Sequence, residues 1–163
     1  MISHTRYGKD IVYHFFSIAE LLIMSLLFLN IHQPKRRQAY AYVALITIPV
    51  IGFMNMLLQP LNTLNTNMLI FESICIVAMA LYSLYRILVD EHITGVARYP
   101  QFWMWAGFLF YWCYTFFFWA FFVVLIKDAH TKMYLLAIQG IANILLYAAL
   151  TVGFVLHLKT KKR

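Results

Sequence analysis

Two acidic side chains lie inside long apolar stretches of the sequence. Glu20 is part of "YHFFSIAELLIM" (13–24), and Glu72 is part of "NMLIFESICIVAMAL" (67–81). An ionised side chain at the centre of a membrane helix costs about 2.5 to 3.5 kcal/mol on insertion scales, so such groups usually face the protein interior. With no lysine or arginine at a matching depth, we expect the two carboxyl groups to be protonated or hydrated by a cavity. In that setting they can bind a proton, a cation or a polar ligand.

Other polar residues recur at helical spacing inside apolar stretches. Gln139 and Asn143 are four residues apart, and Tyr147 and Thr151 continue the same row, so a helix would place all four on one face. Similar rows are Tyr13, Ser17, Glu20 and Met24; Glu72, Met79, Ser83 and Arg86; and Trp103, Gly107, Tyr111 and Tyr114 or Thr115. We expect these rows to converge on one interior.

The composition places the chain among membrane proteins. Of its 163 residues, 63% are hydrophobic and only 12% are charged, whereas a soluble domain has about 25% charged residues. The net charge of +7 comes from short clusters at the ends of apolar runs, "PKRR" (34–37) and "KTKKR" (159–163). Such clusters indicate membrane topology and not a nucleic-acid-binding face.

Five apolar segments are long enough to cross a bilayer, which takes about 20 helical residues. Their approximate bounds are 11–31, 40–59, 68–89, 102–126 and 133–157. Helix is the expected form, because open strands leave backbone groups without hydrogen bonds in lipid. The sequence therefore predicts an all-α integral membrane protein, with 1–163 as a single domain of about five transmembrane helices. Segment two contains Pro49, Gly52 and Asn55, so a re-entrant segment is the alternative.

The distribution of lysine and arginine predicts the orientation. With the N-terminus outside, nine of these residues fall on the cytoplasmic side and four on the outer side. The positive-inside rule then favours an outer N-terminus and a cytoplasmic C-terminus. We expect a multi-pass protein of the bacterial inner membrane. A re-entrant segment two would move the C-terminus outside.

In this orientation the polar side chains gather in the outer half of the bundle. Glu20 lies nine residues from the outer end of its segment, and Asn55 and Glu72 each lie four residues from theirs. We predict a polar pocket there that binds a small ligand or ion. Its candidate residues are His14, Glu20, Asn55, Glu72, Tyr114, Gln139 and Asn143.

Packing is the competing explanation for several of these residues. Polar side chains between membrane helices often hydrogen-bond across the interface, and each such pair contributes about 0.6 kcal/mol on average. For Asn55, Gln139, Asn143 and the tyrosines, this explanation is the more economical one. It fits the two acidic residues less well, because a carboxylate without a partner is costly in lipid.

The sequence contains no pattern typical of catalysis. A Ser/His/Asp elbow, a P-loop, GxGxxG and CxxC are all missing, and the connections between segments leave little room for an active site. His4, His14 and His130 lie near the outer side without the spacing of metal ligands. We therefore expect no enzyme activity, no metal and no cofactor.

Four stretches resemble, in order, a type of bacterial five-helix membrane module. They are "YHFFSIAELLIMSLLF", "NMLIFESICIVAMALYSLYRIL", "YPQFWMWAGFLFYWCYTFFF" and "QGIANILLYAALTVGF". Such modules look like the N-terminal sensor regions of some histidine kinases, and they also occur as stand-alone proteins. A kinase would extend its last helix into a dimerisation helix and a catalytic domain, whereas this sequence stops at Arg163. If the resemblance holds, we expect output through a separate partner, or a small regulator in its own right.

These observations lead to one expected function and two alternatives. We expect a sensory or signal-relay protein in the membrane that binds a ligand or ion and acts through a homo-oligomer or through a separate membrane or cytoplasmic protein. An ion or proton channel or carrier would use the same carboxyl groups on a conduction path. A structural subunit of a larger membrane complex would use its aromatic residues as a contact surface.

Overall fold

The computed structural model of the protein is helical, and it describes residues 4–32, 36–59, 65–91, 95–125 and 129–161. These ranges contain no strand. Each of the five α-helices contains a stretch long and apolar enough to cross a membrane, which confirms the predicted helices. The helices are α1 (His4–His32), α2 (Arg37–Leu58), α3 (Thr66–Val89), α4 (Pro100–Leu125) and α5 (Ala129–Lys161), and a 3₁₀ helix (Val96–Arg98) precedes α4.

Helix α2 is continuous through Pro49, from Arg37 to Leu58. Proline removes one backbone hydrogen bond from a helix interior, but the helix continues for more than two turns beyond it. The stretch from Gln38 to Leu58 alone has the length and hydropathy of a membrane span. Helix α2 is therefore long enough for a full span, and the choice between a span and a re-entrant segment stays a prediction.

The ends of the other helices lie within four residues of the predicted bounds, except that α1 begins at His4, seven residues before the predicted start. Pro100 is the first residue of α4, where its missing N–H costs nothing because the first turn has no internal acceptor for it. Before it, Gly95 has a φ of 89°, a left-handed conformation that glycine tolerates. The Trp103 side chain then ties the 3₁₀ helix to α4, because its Nε1 donates to the Ala97 carbonyl at 2.8 Å. Pro34 and Pro60, which follow the first two apolar segments in the sequence, lie outside the described residues.

The chain forms two compact units, 1–72 and 73–163, whose boundary lies within α3. In the first unit, α1 packs against α2. Gly52 faces the Ile18 side chain so closely that an added Cβ would collide with it. Small residues of this kind let membrane helices approach each other, and Gly52 does so for α2.

In the second unit, α4 and α5 form an antiparallel pair built on small residues. A Cβ added to Gly107 would lie 2.9 Å from the Ala149 Cβ, and one added to Gly153 would lie 3.0 Å from the Pro100 carbonyl oxygen. Since two backbones pack this closely only over small residues, these glycines set the separation of α4 from α5.

Buried and exposed residues alternate along α3 with the helical period. Large apolar side chains, such as Ile74 and Leu81, are exposed on its outer side, and the other four helices also expose such side chains. A soluble protein rarely exposes apolar surface on this scale, whereas a membrane protein presents it to lipid. The buried residues of α3 are Met68, Glu72, Ser73, Ile76, Ala80, Ser83 and Ile87.

The expected polar rows are therefore only partly buried. Tyr13, Arg86, Tyr147 and Thr151 are exposed. Thr151 satisfies its hydroxyl within its own helix, by donating to the Tyr147 carbonyl at 2.7 Å, so it can face an apolar surrounding without an interhelical partner.

Replacement of Gly107 by valine should weaken the α4–α5 pair. The new side chain would overlap Ala149, and overpacking of this kind costs roughly 1 to 3 kcal/mol. Gly140 is the matched control, because a Cβ there meets nothing within 4 Å on the same pair of helices. Thermal unfolding in detergent should show a lower midpoint for Gly107→Val than for Gly140→Val. Equal midpoints would contradict the packing role of Gly107.

Candidate functional site

A chain of hydrogen bonds joins three elements of the first unit. Asn55 Nδ2 donates to Asn65 Oδ1 at 2.6 Å, and Asn65 Nδ2 lies 3.5 Å from Ser17 Oγ. Ser17 Oγ in turn donates to the Tyr13 carbonyl at 2.9 Å. The chain therefore links the end of α2 and the start of α3 to α1. Its side chains are shielded, since Ser17 and Asn65 are each 1% exposed.

Asn55 lies in the last turn of α2, and Asn65 lies directly before α3. The Asn65 carbonyl accepts the N–H of Leu69 at 3.1 Å, so Asn65 is the residue that caps the N-terminus of α3. Asparagine is among the preferred residues at that position. The Asn55 carbonyl accepts the N–H of Gln59, which closes the last turn of α2. The hydrogen bond between the two amides thus fixes the end of one helix to the start of the next.

Glu72 lies on the same side of α3, seven residues after Asn65. Its side chain is completely buried, at 0% exposure. Neither carboxyl oxygen has a hydrogen-bond partner among the described residues. An isolated ionised carboxylate is very unfavourable away from water. The group is therefore stable there only as the neutral acid or beside a cation.

Glu20 is the second acidic group of this unit. It lies three residues after Ser17 on α1 and is partly buried. Its carboxyl group is close enough to that of Glu72 for the two to interact electrostatically. Two like charges repel each other in a surrounding of low dielectric constant. Protonation of either carboxyl group, or a cation nearby, removes that repulsion.

His14 belongs to the same buried face of α1 as Ser17. Its ring is completely buried, at 0% exposure, although the sequence alone places it near the end of a span. The face continues with Leu21 and Met24, which are also buried. The first unit thus surrounds its polar side chains with apolar ones, which keeps bulk water away from them.

A second polar group lies in the second unit, between α4 and α5. Gln139 Nε2 donates to the Tyr111 hydroxyl oxygen at 3.2 Å, and the Tyr114 hydroxyl donates to the Leu135 carbonyl at 3.4 Å. Asn143 Nδ2 donates to the Gln139 carbonyl of its own helix at 3.1 Å. These contacts have the pattern of interhelical packing and self-satisfied amides. They contain no acidic side chain.

The seven candidate residues therefore fall into two groups. His14, Glu20, Asn55 and Glu72 belong to the first unit, whereas Tyr114, Gln139 and Asn143 belong to the second. Their assembly into one pocket stays a prediction. Sequence reasoning missed Asn65, which it assigned to an uncharged loop. Asparagine is a preferred helix cap, but Asn62, Asn65 and Asn67 all precede the apolar run. Nothing in the sequence singles out Asn65 as the cap or Asn55 as its partner.

The described residues offer no cluster of metal ligands. Within those ranges, no group of three or more His, Cys, Asp or Glu residues could hold a metal ion. The side chains of His4 and His130, which the sequence places near His14, are outside the described residues. A site formed by two carboxyl groups suits a proton or one small cation held with help from neutral oxygen atoms.

Replacement of Asn65 by alanine should destabilise the protein. The change leaves the Asn55 amide buried without its acceptor, and interhelical hydrogen bonds of this type contribute about 0.6 and at most about 1.7 kcal/mol. Asn67 is the matched control, because it is exposed at the start of the same helix. In thermal unfolding, Asn65→Ala should melt below Asn67→Ala. An equal effect of the two changes would show that the hydrogen-bond chain does not stabilise the unit.

Comparisons with known proteins give no match: no protein-family model, no curated protein and no solved structure is significantly similar to the chain. The resemblance to the sensor regions of histidine kinases therefore stays a prediction. The geometry of the first unit is what bears on function.

Proposed function

We propose that the protein is a non-enzymatic, multi-pass membrane protein that binds a proton or a small cation between Glu20 and Glu72 and relays the bound state to a partner. The observation that carries this proposal is Glu72, a fully buried carboxyl group without a hydrogen-bond partner among the described residues. A second carboxyl group within electrostatic range supplies the other half of the site.

A relay function is supported by the elements that meet at this site. Glu20 and Ser17 are on α1, Asn55 is on α2, and Asn65 and Glu72 belong to α3 and its cap. A proton or cation that draws the two carboxyl groups together would favour one packing of α1 against α3, and the amide contacts would pass the shift to α2. A ligand shifts a conformational equilibrium only by its difference in affinity for the two states. The repulsion between the carboxylates in the empty site provides such a difference.

Transport of a proton or cation is the second candidate function. It is favoured by the series of buried polar side chains on α1 and α3, namely His14, Ser17, Asn65 and Glu72. Ionisable side chains within membrane spans often mark proton or ion pathways. The chain would then act as a channel or carrier subunit, with a homo-oligomer completing the path.

Replacement of Glu72 by glutamine should remove most of the thermal stabilisation that protons or cations give to the native protein. In detergent, the thermal midpoint of the native protein should rise when the pH is lowered or when one of Na⁺, K⁺ or Ca²⁺ is added, because a ligand at about 100 times its Kd stabilises a protein by about 2.7 kcal/mol. Glu72→Gln and Glu20→Gln should each remove most of that rise. Glu91→Gln is the control, because Glu91 is exposed beyond the end of α3.

The outcome that contradicts the site is a Glu72→Gln protein with an undiminished response. Flux measurements in liposomes separate the two candidate functions. A transporter should move protons or the stabilising cation across the bilayer, and Glu20→Gln should stop that flux. A protein that responds in the thermal measurement but shows no flux acts as a sensor or relay.

The relay needs a defined orientation, and we propose an outer N-terminus and a cytoplasmic C-terminus in a bacterial inner membrane. The excess of lysine and arginine on one side supports this topology. After replacement of Cys75 and Cys113 by alanine, Asn67→Cys should react with an impermeant maleimide in intact spheroplasts. Lys159→Cys should react only after permeabilisation. The reversed labelling pattern would overturn the orientation.

A further inference from the structure

A cleft of about 410 Å³ lies in the second unit, between the start of α4 and the last turns of α5. Its surface consists mainly of carbon atoms. Gly153 contributes a floor without a side chain, and Phe154 forms an exposed wall. The lining residues are Pro100, Gln101, Met104, Leu150, Gly153, Phe154 and His157.

The cleft lies at the ends of two candidate membrane spans. The candidate spans run from Pro100 to Phe121 and from Met133 to Lys159, so the lining residues occupy the first turn of one span and the last turns of the other. Residues 150 to 157 cover roughly 10 Å along the α5 axis at 1.5 Å per residue. That length accommodates the upper part of a lipid acyl chain, whereas a second transmembrane helix would need a contact surface along much of the bilayer.

Basic residues lie close in sequence to the residues that line the cleft. Lys159 is exposed about half a turn beyond His157, and Arg98 is exposed in the 3₁₀ helix before Pro100. The sequence continues with Lys161, Lys162 and Arg163. Basic pockets between transmembrane helices at the headgroup level bind anionic lipids. Asp90 and Glu91, after α3, are the acidic residues of the α3–α4 connection.

We infer that this cleft, which we call the α4–α5 cleft, binds a phospholipid with an anionic headgroup. One acyl chain lies along Leu150, Gly153 and Phe154. The phosphate and headgroup lie at the level of His157, Lys159 and Arg98, where α5 extends beyond the start of α4. The shape of the cleft and the charge at its end both match such a lipid, and neither depends on Glu20 or Glu72.

Two variants separate the contributions of the acyl chain and the headgroup. Phe154→Ala removes a wall of the cleft at an exposed position, so it should lower retention of every phospholipid. Lys159→Gln removes one charge near the headgroup, so it should lower the preference for an anionic lipid by about fivefold, the effect of about 1 kcal/mol per basic residue near the surface. Phe110→Ala is the matched control, on the lipid-exposed side of α4 away from the cleft.

The experiment reconstitutes the full chain in bilayers with equal amounts of phosphatidylglycerol and phosphatidylcholine and counts retained lipids by native mass spectrometry. The native protein and Phe110→Ala should retain phosphatidylglycerol preferentially. Equal retention of the two lipids by the native protein would overturn the proposal. So would a Phe154→Ala protein that retains as much lipid as Phe110→Ala.

Two further measurements test whether a second copy of the chain occupies the cleft and whether the cleft is independent of Glu72. A lipid-free dimer that Phe154→Ala converts to a monomer would assign the cleft to a second copy of the chain and overturn the proposal. Glu72→Gln should retain phosphatidylglycerol as the native protein does, because Glu72 is not part of the cleft. Loss of the lipid in Glu72→Gln would contradict the independence of the two sites.

Discussion

Backbone hydrogen bonding in an apolar surrounding is the constraint from which the rest of this structure follows. Lipid offers no partner to a backbone N–H or carbonyl group, so each apolar run must satisfy its own backbone as a helix. The same constraint acts on polar side chains within the helices. Several of them donate to the carbonyl four residues earlier on their own helix, and these are Ser17, Thr47, Ser83, Asn143 and Thr151.

Two features of the first unit depart from that self-satisfied pattern. The Asn55 and Asn65 amides bond to each other between helices, and the contact is short and buried. Glu72 has no hydrogen-bond partner among the described residues although it is fully buried. The amide contact positions the start of α3 against the other two helices. The Glu72 carboxyl group lies in the same unit as Glu20 and within electrostatic range of it.

The second unit also satisfies its polar groups in an apolar surrounding, but with different residues. Its polar contacts are neutral, and its two helices approach through Gly107 and Gly153 instead of through hydrogen-bonded amides. Glycine allows van der Waals contact between backbones, which is a main source of helix association in lipid. The same short separation at Gly153 leaves a gap beside the larger Phe154, and this gap is the α4–α5 cleft.

Some features of the protein could be predicted without its structure because they depend on local sequence. The lengths of the apolar runs predicted five helices, and the structure has five α-helices in the described residues. The burial of Glu72 also followed from its position inside a span. The side of each helix that is buried was harder to predict than the helix itself. Tyr13 and Tyr147 share rows with polar residues but are exposed, since a row of polar residues does not reveal which side of a helix has a neighbour.

The sequence by itself determined the number, type and approximate bounds of the helices, because an apolar run in lipid has one way to satisfy its backbone. It also determined that two carboxyl groups would be present within the spans. Only the tertiary structure decided which residues meet. Asn55 and Asn65 become partners because the end of α2 meets the start of α3. The predicted site residues divide between two units. Contacts between helices depend on side-chain fit along whole interfaces, such as Gly52 against Ile18, and that fit is not encoded in any single stretch of sequence.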